Sequence, residues 1–270
     1  MTLDAGLRSR ILNFDAAPPN VPGDLTLNNL VLINGNSTKF AFEGGGGAVR
    51  ERRTGTVSLF NTDVNNSSTL GRFARGGGIY SNGSIVVNQS TIRGNQTEGY
   101  FAQGGGLFAK TSITAVNSTI AENRTFGDLS GGGGLAVYSP IGNILLYNSS
   151  VVGNAVSSFA SGGGIGGANL TITSSTITGN TAGFASDPDS PIIRLNPVDA
   201  PINLVLPTAT GAEAFERHML ASKNHGVTIV PALGDTLTLI DVFNGFSTTV
   251  VPSFDLGALD LGTSVSYTHL

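Results

Sequence analysis

Along most of the chain, apolar residues recur in a two-then-five rhythm: Val57, Leu59 and Val64; Ile85, Val87 and Ile92; Ile113, Ala115 and Ile120; Ile144, Leu146 and Val151; Leu170, Ile172 and Ile177. Leu25, Leu27 and Leu32 follow the same rule and bring the turns to six. A spacing of two is the alternation of a half-buried strand, and the step of five marks a bend after which a second short strand opens on an inward residue. Glycine runs punctuate the units, ending at Gly47, Gly78, Gly106, Gly134 and Gly164, at intervals of 31, 28, 28 and 30 residues. A unit this short cannot bury its apolar face alone and becomes stable only by stacking on copies of itself. The pattern predicts an all-β solenoid whose coils lie about 4.8 Å apart, the spacing of hydrogen-bonded strands.

Further columns emerge when the units are aligned. Five residues before each final glycine stand Phe42, Phe73, Phe101, Leu129 and Phe159, predicted to stack along the axis inside the coil. Three residues beyond the last apolar position stand Asn95, Asn123, Asn154 and Asn180, while the first two turns slip, offering Asn66 one place early and Asn34 or Asn36 to either side. Asparagine tolerates left-handed backbone and its amides can bond along a stack, so the column reads as an internal or turn ladder. The glycines allow tight bends and close approach between coils. They do not read as a phosphate loop, since no Lys-Ser/Thr ending and no helix pattern follow them.

The repeat stops at Asp187-Pro188-Asp189, which divides the chain into repeats over 1–186 and a different segment over 187–270. That segment carries a helical spacing from Gly211 to Lys223 and strand-like runs at Val227–Val230, Thr236–Val242 and Thr248–Phe254, and is expected to cap the stack or to begin a second domain. Residues 264–270 read as a translated adapter tail rather than protein sequence. At the other end, Thr2–Asp4 and Arg10–Phe14 read as strands of an earlier turn.

Composition agrees with turn-rich β structure: 38 of 270 residues are glycine and 12% are charged. The net charge of −4 and the scattered basic residues exclude an electrostatic footprint for nucleic acid. The chain contains no cysteine, which removes disulfides, thiolate metal sites and thiol catalysis. No apolar run is long enough to span a membrane, and no cofactor motif is present. An export signal is not readable in residues 1–20 and is expected to lie outside this sequence.

The stretch 25–36, followed by a glycine run and then by units such as 76–95, resembles bacterial right-handed parallel β-helix surface proteins. The likeness is to those called choice-of-anchor proteins and, more distantly, to polymorphic outer-membrane adhesin repeats, and it covers roughly residues 1–186. The resemblance implies a right-handed, pectate-lyase-like β-helix and an exported protein of the cell surface. Handedness follows from it and from the general preference of parallel crossovers.

Two functions compete. The first is a non-catalytic, adhesin-like rod that presents flat Ser-, Thr- and Asn-bearing faces to carbohydrate or another cell-surface component. The second is a lyase or glycoside hydrolase acting on acidic polysaccharide, which requires paired carboxylates or an acidic calcium cluster with a base. The acidic residues Glu43, Glu51, Asp63, Glu98, Glu122 and Asp128 fall in different columns, and no catalytic residue is assigned. Arg50, Arg52, Arg53, Arg72 and Arg75 bracket the early glycine runs and form the candidate ligand-binding patch for anionic sugars, beside the plainer reading of solvated loop charges. Glu216, His218 and His225 invite a metal or acid-base reading, but Glu216-Arg217-His218 is not the two-histidine helix motif of zinc proteases, and a capped surface helix accounts for them. The Thr-rich stretch 170–180 hints at ice binding, but the equivalent places in other turns hold Val86, Gln89, Leu145 and Tyr147.

Overall fold

The structure is a computed structural model that describes residues 1–15, 23–37, 45–128, 130–138, 142–157, 162–167, 169–173 and 175–181, with the strands 193–195, 202–205 and 227–230. One coil shows how the rhythm folds. Val49–Glu51, Thr56–Phe60, Asp63–Asn65 and Ser68–Leu70 are four short strands separated by bends, and each pairs in parallel with its counterpart in the next coil. Repetition builds four parallel sheets from these four positions: the counterparts of Val49–Glu51 form sheet B with seven strands, those of Thr56–Phe60 sheet C with eight, those of Asp63–Asn65 sheet A with seven and those of Ser68–Leu70 sheet D with four. Among the described residues there is no helix, and the stack is a parallel β-solenoid of about five turns. Thr2–Asp4 and Leu12–Phe14 open sheets A and B, as the sequence predicts.

The two-then-five rhythm is the core. Val57, Leu59, Val64, Ile85, Val87, Ile92, Ile113 and Ile120 are fully buried, each set in register with its neighbours above and below. Every such Val, Leu or Ile contributes about 1.5–3 kcal/mol of burial before chain entropy is subtracted.

The asparagine column is internal. Asn95 Nδ2 donates to Asn123 Oδ1 (3.0 Å), Asn123 Nδ2 to Asn154 Oδ1 (3.0 Å) and Asn154 Nδ2 to Asn180 Oδ1 (2.9 Å). Each Oδ1 also accepts the backbone N–H of the preceding ladder residue, and each amide donates inward to a carbonyl of the coil below, Val64, Ile92, Ile120 or Val151. In the early coils the column passes to Ser67 and Gly35, because Ser67 N–H donates to Asn95 Oδ1 and Gly35 N–H to Ser67 Oγ. Asn34 and Asn66 instead occupy the preceding position, which is left-handed in every coil and elsewhere held by Gly94, Glu122, Gly153 and Gly179. A second buried ladder, of Thr62, Ser90, Ser118, Ser149 and Ser175, runs parallel to the first and takes one backbone N–H per coil.

The glycine runs are the closest approach between coils. A Cβ at Gly105 would lie 2.3 Å from the Gly133 carbonyl, and one at Gly106 would lie 2.9 Å from Asn123 Cγ. Register aligns Val49 with Ile79, so the first run is offset by one: Gly47 faces Gly77, and Ala48 takes the place of Gly78.

The aromatic column departs from expectation. Phe73 and Phe101 stack, with centroids 5.7 Å apart and planes within 7°, but they do so on the outside, 39% and 36% exposed. The inward side chains at this corner are the next residues, Ala74, Ala102 and Ser130, all buried. Only small groups fit there, where the chain folds back toward the glycines, so the phenylalanines face solvent. Phe42, Leu129 and Phe159 lie outside the described residues, as do the expected helix at 211–223 and the strands at 236–242 and 248–254. Val227–Val230 is a strand and, with Ile202–Val205, extends sheet C beyond residue 186, while Ile193–Leu195 extends sheet B.

Candidate functional site

The five arginines singled out in the sequence occupy two neighbouring zones. Arg50 lies on the outward side of sheet B, where its Nη2 is 3.1 Å from Asp15 Oδ2. Arg10, which no sequence pattern marks, joins it: its guanidinium donates to the carbonyls of Gly45 and Gly46, at 2.7 Å each. Burial, with Arg50 nearby, draws the Arg10 pKa down to about 10 against the opposing pull of Asp15. Arg53 lies over the Phe14 ring at 4.8 Å, with its buried Nε unpaired. Arg52 is exposed. Glu51, next to them in sequence, points inward and is fully buried; its Oε2 accepts from Ser81 Oγ (2.7 Å) and Asn82 N–H (3.2 Å), while Oε1 has no hydrogen bond.

Arg72 and Arg75 sit one coil on, at the corner where the chain leaves sheet D for sheet B. Ala74 is buried between Phe73, which faces solvent, and Arg75, which is half-buried. The Arg72 guanidinium lies 5.4 Å from the Phe73 centroid and 5.7 Å from that of Tyr100. Tyr100 meets Phe101 edge-on at 4.4 Å. Arg75 lies 4.9 Å from both Phe108 and Tyr138, and Tyr80 stacks on Phe108 at 5.6 Å. Phe101 adopts φ +59°, a conformation costly for a bulky side chain. The aromatic half of this corner was not legible in the sequence, because Tyr80 and Phe108 share one column while Tyr100 and Tyr138 come from others, and no shared period joins them.

The acidic residues stand on separate elements. Asp63 is in sheet A and its Oδ1 accepts the Thr91 N–H (3.2 Å). Glu98 ends a strand of sheet D, and Glu122 pairs with Arg93 through two hydrogen bonds of 3.0 and 2.7 Å. No group of three or more Asp, Glu, His or Cys able to hold a metal occurs among the described residues, and no helix there is long and apolar enough to cross a membrane.

A third surface needs no motif. The strands of sheet C, from Leu25–Asn28 through Asn169–Thr173, contain no charged residue. Their outward rows carry Thr56, Ser84, Ser112, Asn143 and Asn169 in register, joined along the axis by Ser112 Oγ to Ser84 Oγ (2.8 Å) and Asn169 Nδ2 to Asn143 Oδ1 (3.1 Å).

These features define the class of protein: a parallel β-solenoid with internal asparagine ladders. Comparison with family models, with curated proteins and with solved structures finds no match.

Proposed function

We propose that the protein is a non-catalytic, adhesin-like rod of the bacterial cell surface, exported from the cell, which holds glycans or another surface against its flat polar faces. The reading rests on sheet C, an uncharged face in which one outward row, Thr56, Ser84, Ser112, Asn143 and Asn169, repeats hydroxyl and amide groups at the coil spacing beside rows that also hold Val86, Leu145, Phe60, Val116 and Tyr147. A surface without charge is dehydrated at little electrostatic cost, and regularly placed hydroxyls and amides offer both donors and acceptors to sugar hydroxyls. The resemblance to choice-of-anchor and outer-membrane adhesin repeats supports the same assignment. Glycoside hydrolysis would need two carboxyl groups roughly 5–10 Å apart flanking one bond, and the placement of Asp63, Glu98 and Glu122 on three elements lends that no support.

The test is a glycan array on the full chain together with a reducing-end assay on neutral and acidic polysaccharides. Binding without release of reducing ends is expected. Turnover of any polysaccharide, or an array without a single binder, overturns the proposal.

A further inference from the structure

We infer that the corner between sheets D and B is a second, separate binding site, for an acidic polysaccharide whose oxyanion groups are taken by Arg72 and Arg75 and whose sugar faces rest on the rings beside them. Among the described residues neither arginine has an acidic partner. This contrasts with Arg50 and Arg93, which do. Arg75 Nε is buried without a hydrogen bond. A guanidinium held against aromatic faces has its orientation already fixed, while its N–H edges stay available for bidentate capture of a carboxylate or sulfate. Ordering such a side chain on binding costs little, since the ring contacts have ordered it beforehand.

The aromatic groups point the same way. Phe73, Tyr100, Phe101 and Tyr138 are 39%, 41%, 36% and 56% exposed, aromatic groups left open to solvent beside the two arginines. Tyr138 has open area beyond its contact with Arg75, and Tyr100 stands edge-on to its neighbour, so each keeps a surface for the apolar face of a sugar ring. Two negative residues, Glu98 and Asp128, lie near this corner in the chain and set a limit on ligand charge density. A polymer with spaced acidic groups fits the corner better than a uniform polyanion such as nucleic acid.

The site is tested with the full chain by titration against polygalacturonate, dextran sulfate, unmodified dextran and polyglutamate. The two acidic sugars separate carboxylate from sulfate recognition, dextran lacks the charge, and polyglutamate lacks the sugar. Replacing both arginines with alanine is expected to weaken acidic-polysaccharide binding about 100-fold, at roughly tenfold for each charged contact. The same change leaves any dextran binding unaltered, since it does not touch sheet C, while the lost ring contacts lower the urea midpoint slightly without unfolding the chain. R72K/R75K keeps the charge and loses the stacked planes, and is expected to recover less than a tenth of the affinity while retaining its salt dependence. Equal affinity for polyglutamate, an unchanged R72A/R75A variant, or full rescue by lysine each overturns the inference. Failure of the unaltered chain to bind either acidic polysaccharide, with neutral glycan binding intact, sinks this site alone, whereas release of reducing ends sinks the non-catalytic reading and leaves the site standing.

Discussion

The pairing of Gly106 with Asn123 makes the sharpest quantitative prediction, because the molecule contains its own control. A Cβ at Gly106 would fall 2.7 Å from the Gly134 carbonyl and 2.9 and 3.0 Å from Asn123 Cγ and Nδ2. Overpacking of that kind costs about 1–3 kcal/mol. Replacing Asn123 by serine keeps an acceptor for the Asn95 N–H but deletes the amide donors to Ile92 O (2.9 Å) and Asn154 Oδ1 (3.0 Å), at about 1–2 kcal/mol. One coil already carries both changes: in register, Ala48 stands where Gly78 does and Ser67 where Asn95 does. The smaller hydroxyl leaves room for the methyl group. G106A/N123S is therefore expected to be more stable than the sum of its parts by about 1–2 kcal/mol, a coupling well above the scatter between independent sites. Urea unfolding of the four proteins, with amide exchange at Asn95 to localise the loss, measures it. Additivity within about 0.5 kcal/mol would refute the claim that the third glycine exists to seat the ladder.

Three more expectations follow from single residues. Burial raises the Glu51 pKa above its ordinary value, opposed by the Ser81 hydroxyl and nearby backbone N–H groups, so the folded state favours the protonated form. The stability this lends is fully present below the unfolded carboxyl value near about 4.3 and is lost as pH rises through the folded one; E51Q should match wild type at pH 4 and exceed it at pH 7 by about 1–3 kcal/mol in urea midpoints, with a pH-independent difference as the refuting result. Glu122 sits at φ +56° where other coils place Gly94, Gly153 and Gly179, and its ion pair with Arg93 is more than half exposed. E122G should change stability by less than about 1 kcal/mol, while E122V loses about 1–2 kcal/mol by calorimetry, and the reverse order would refute the backbone argument. Ile120 is fully buried among like residues, so I120D should lower stability by more than about 4 kcal/mol or prevent folding, whereas T119D, one residue away on the outer side, should stay within about 0.5–1 kcal/mol.

Columns in the sequence state that a position recurs; they do not state which way it points. For the two-then-five residues the direction came free, because polar neighbours alternate with apolar ones and only one face can be the core. For Phe73 and Phe101 the same reasoning misled. Large apolar side chains suggest burial, yet the inward places at that corner are taken by Ala74, Ala102 and Ser130, and the rings of the turn residues before them face outward. The slip at Asn34 and Asn66 has a related cause: asparagine suits both the inward ladder and the left-handed residue before it, so identity alone cannot separate the two columns, and only the register through Ser67 and Gly35 does. Arg10 and the aromatic partners of Arg75 were illegible for a further reason. Their contacts run across one coil or two, as Arg75 does with Phe108 and with Tyr138, and such proximity depends on the length of each intervening bend. A binding site on a solenoid is assembled in this way, from positions that vary while the ladder beneath them does not. The corner that breaks the repeat is therefore the place to test for the second site proposed above, beside the regular face of sheet C.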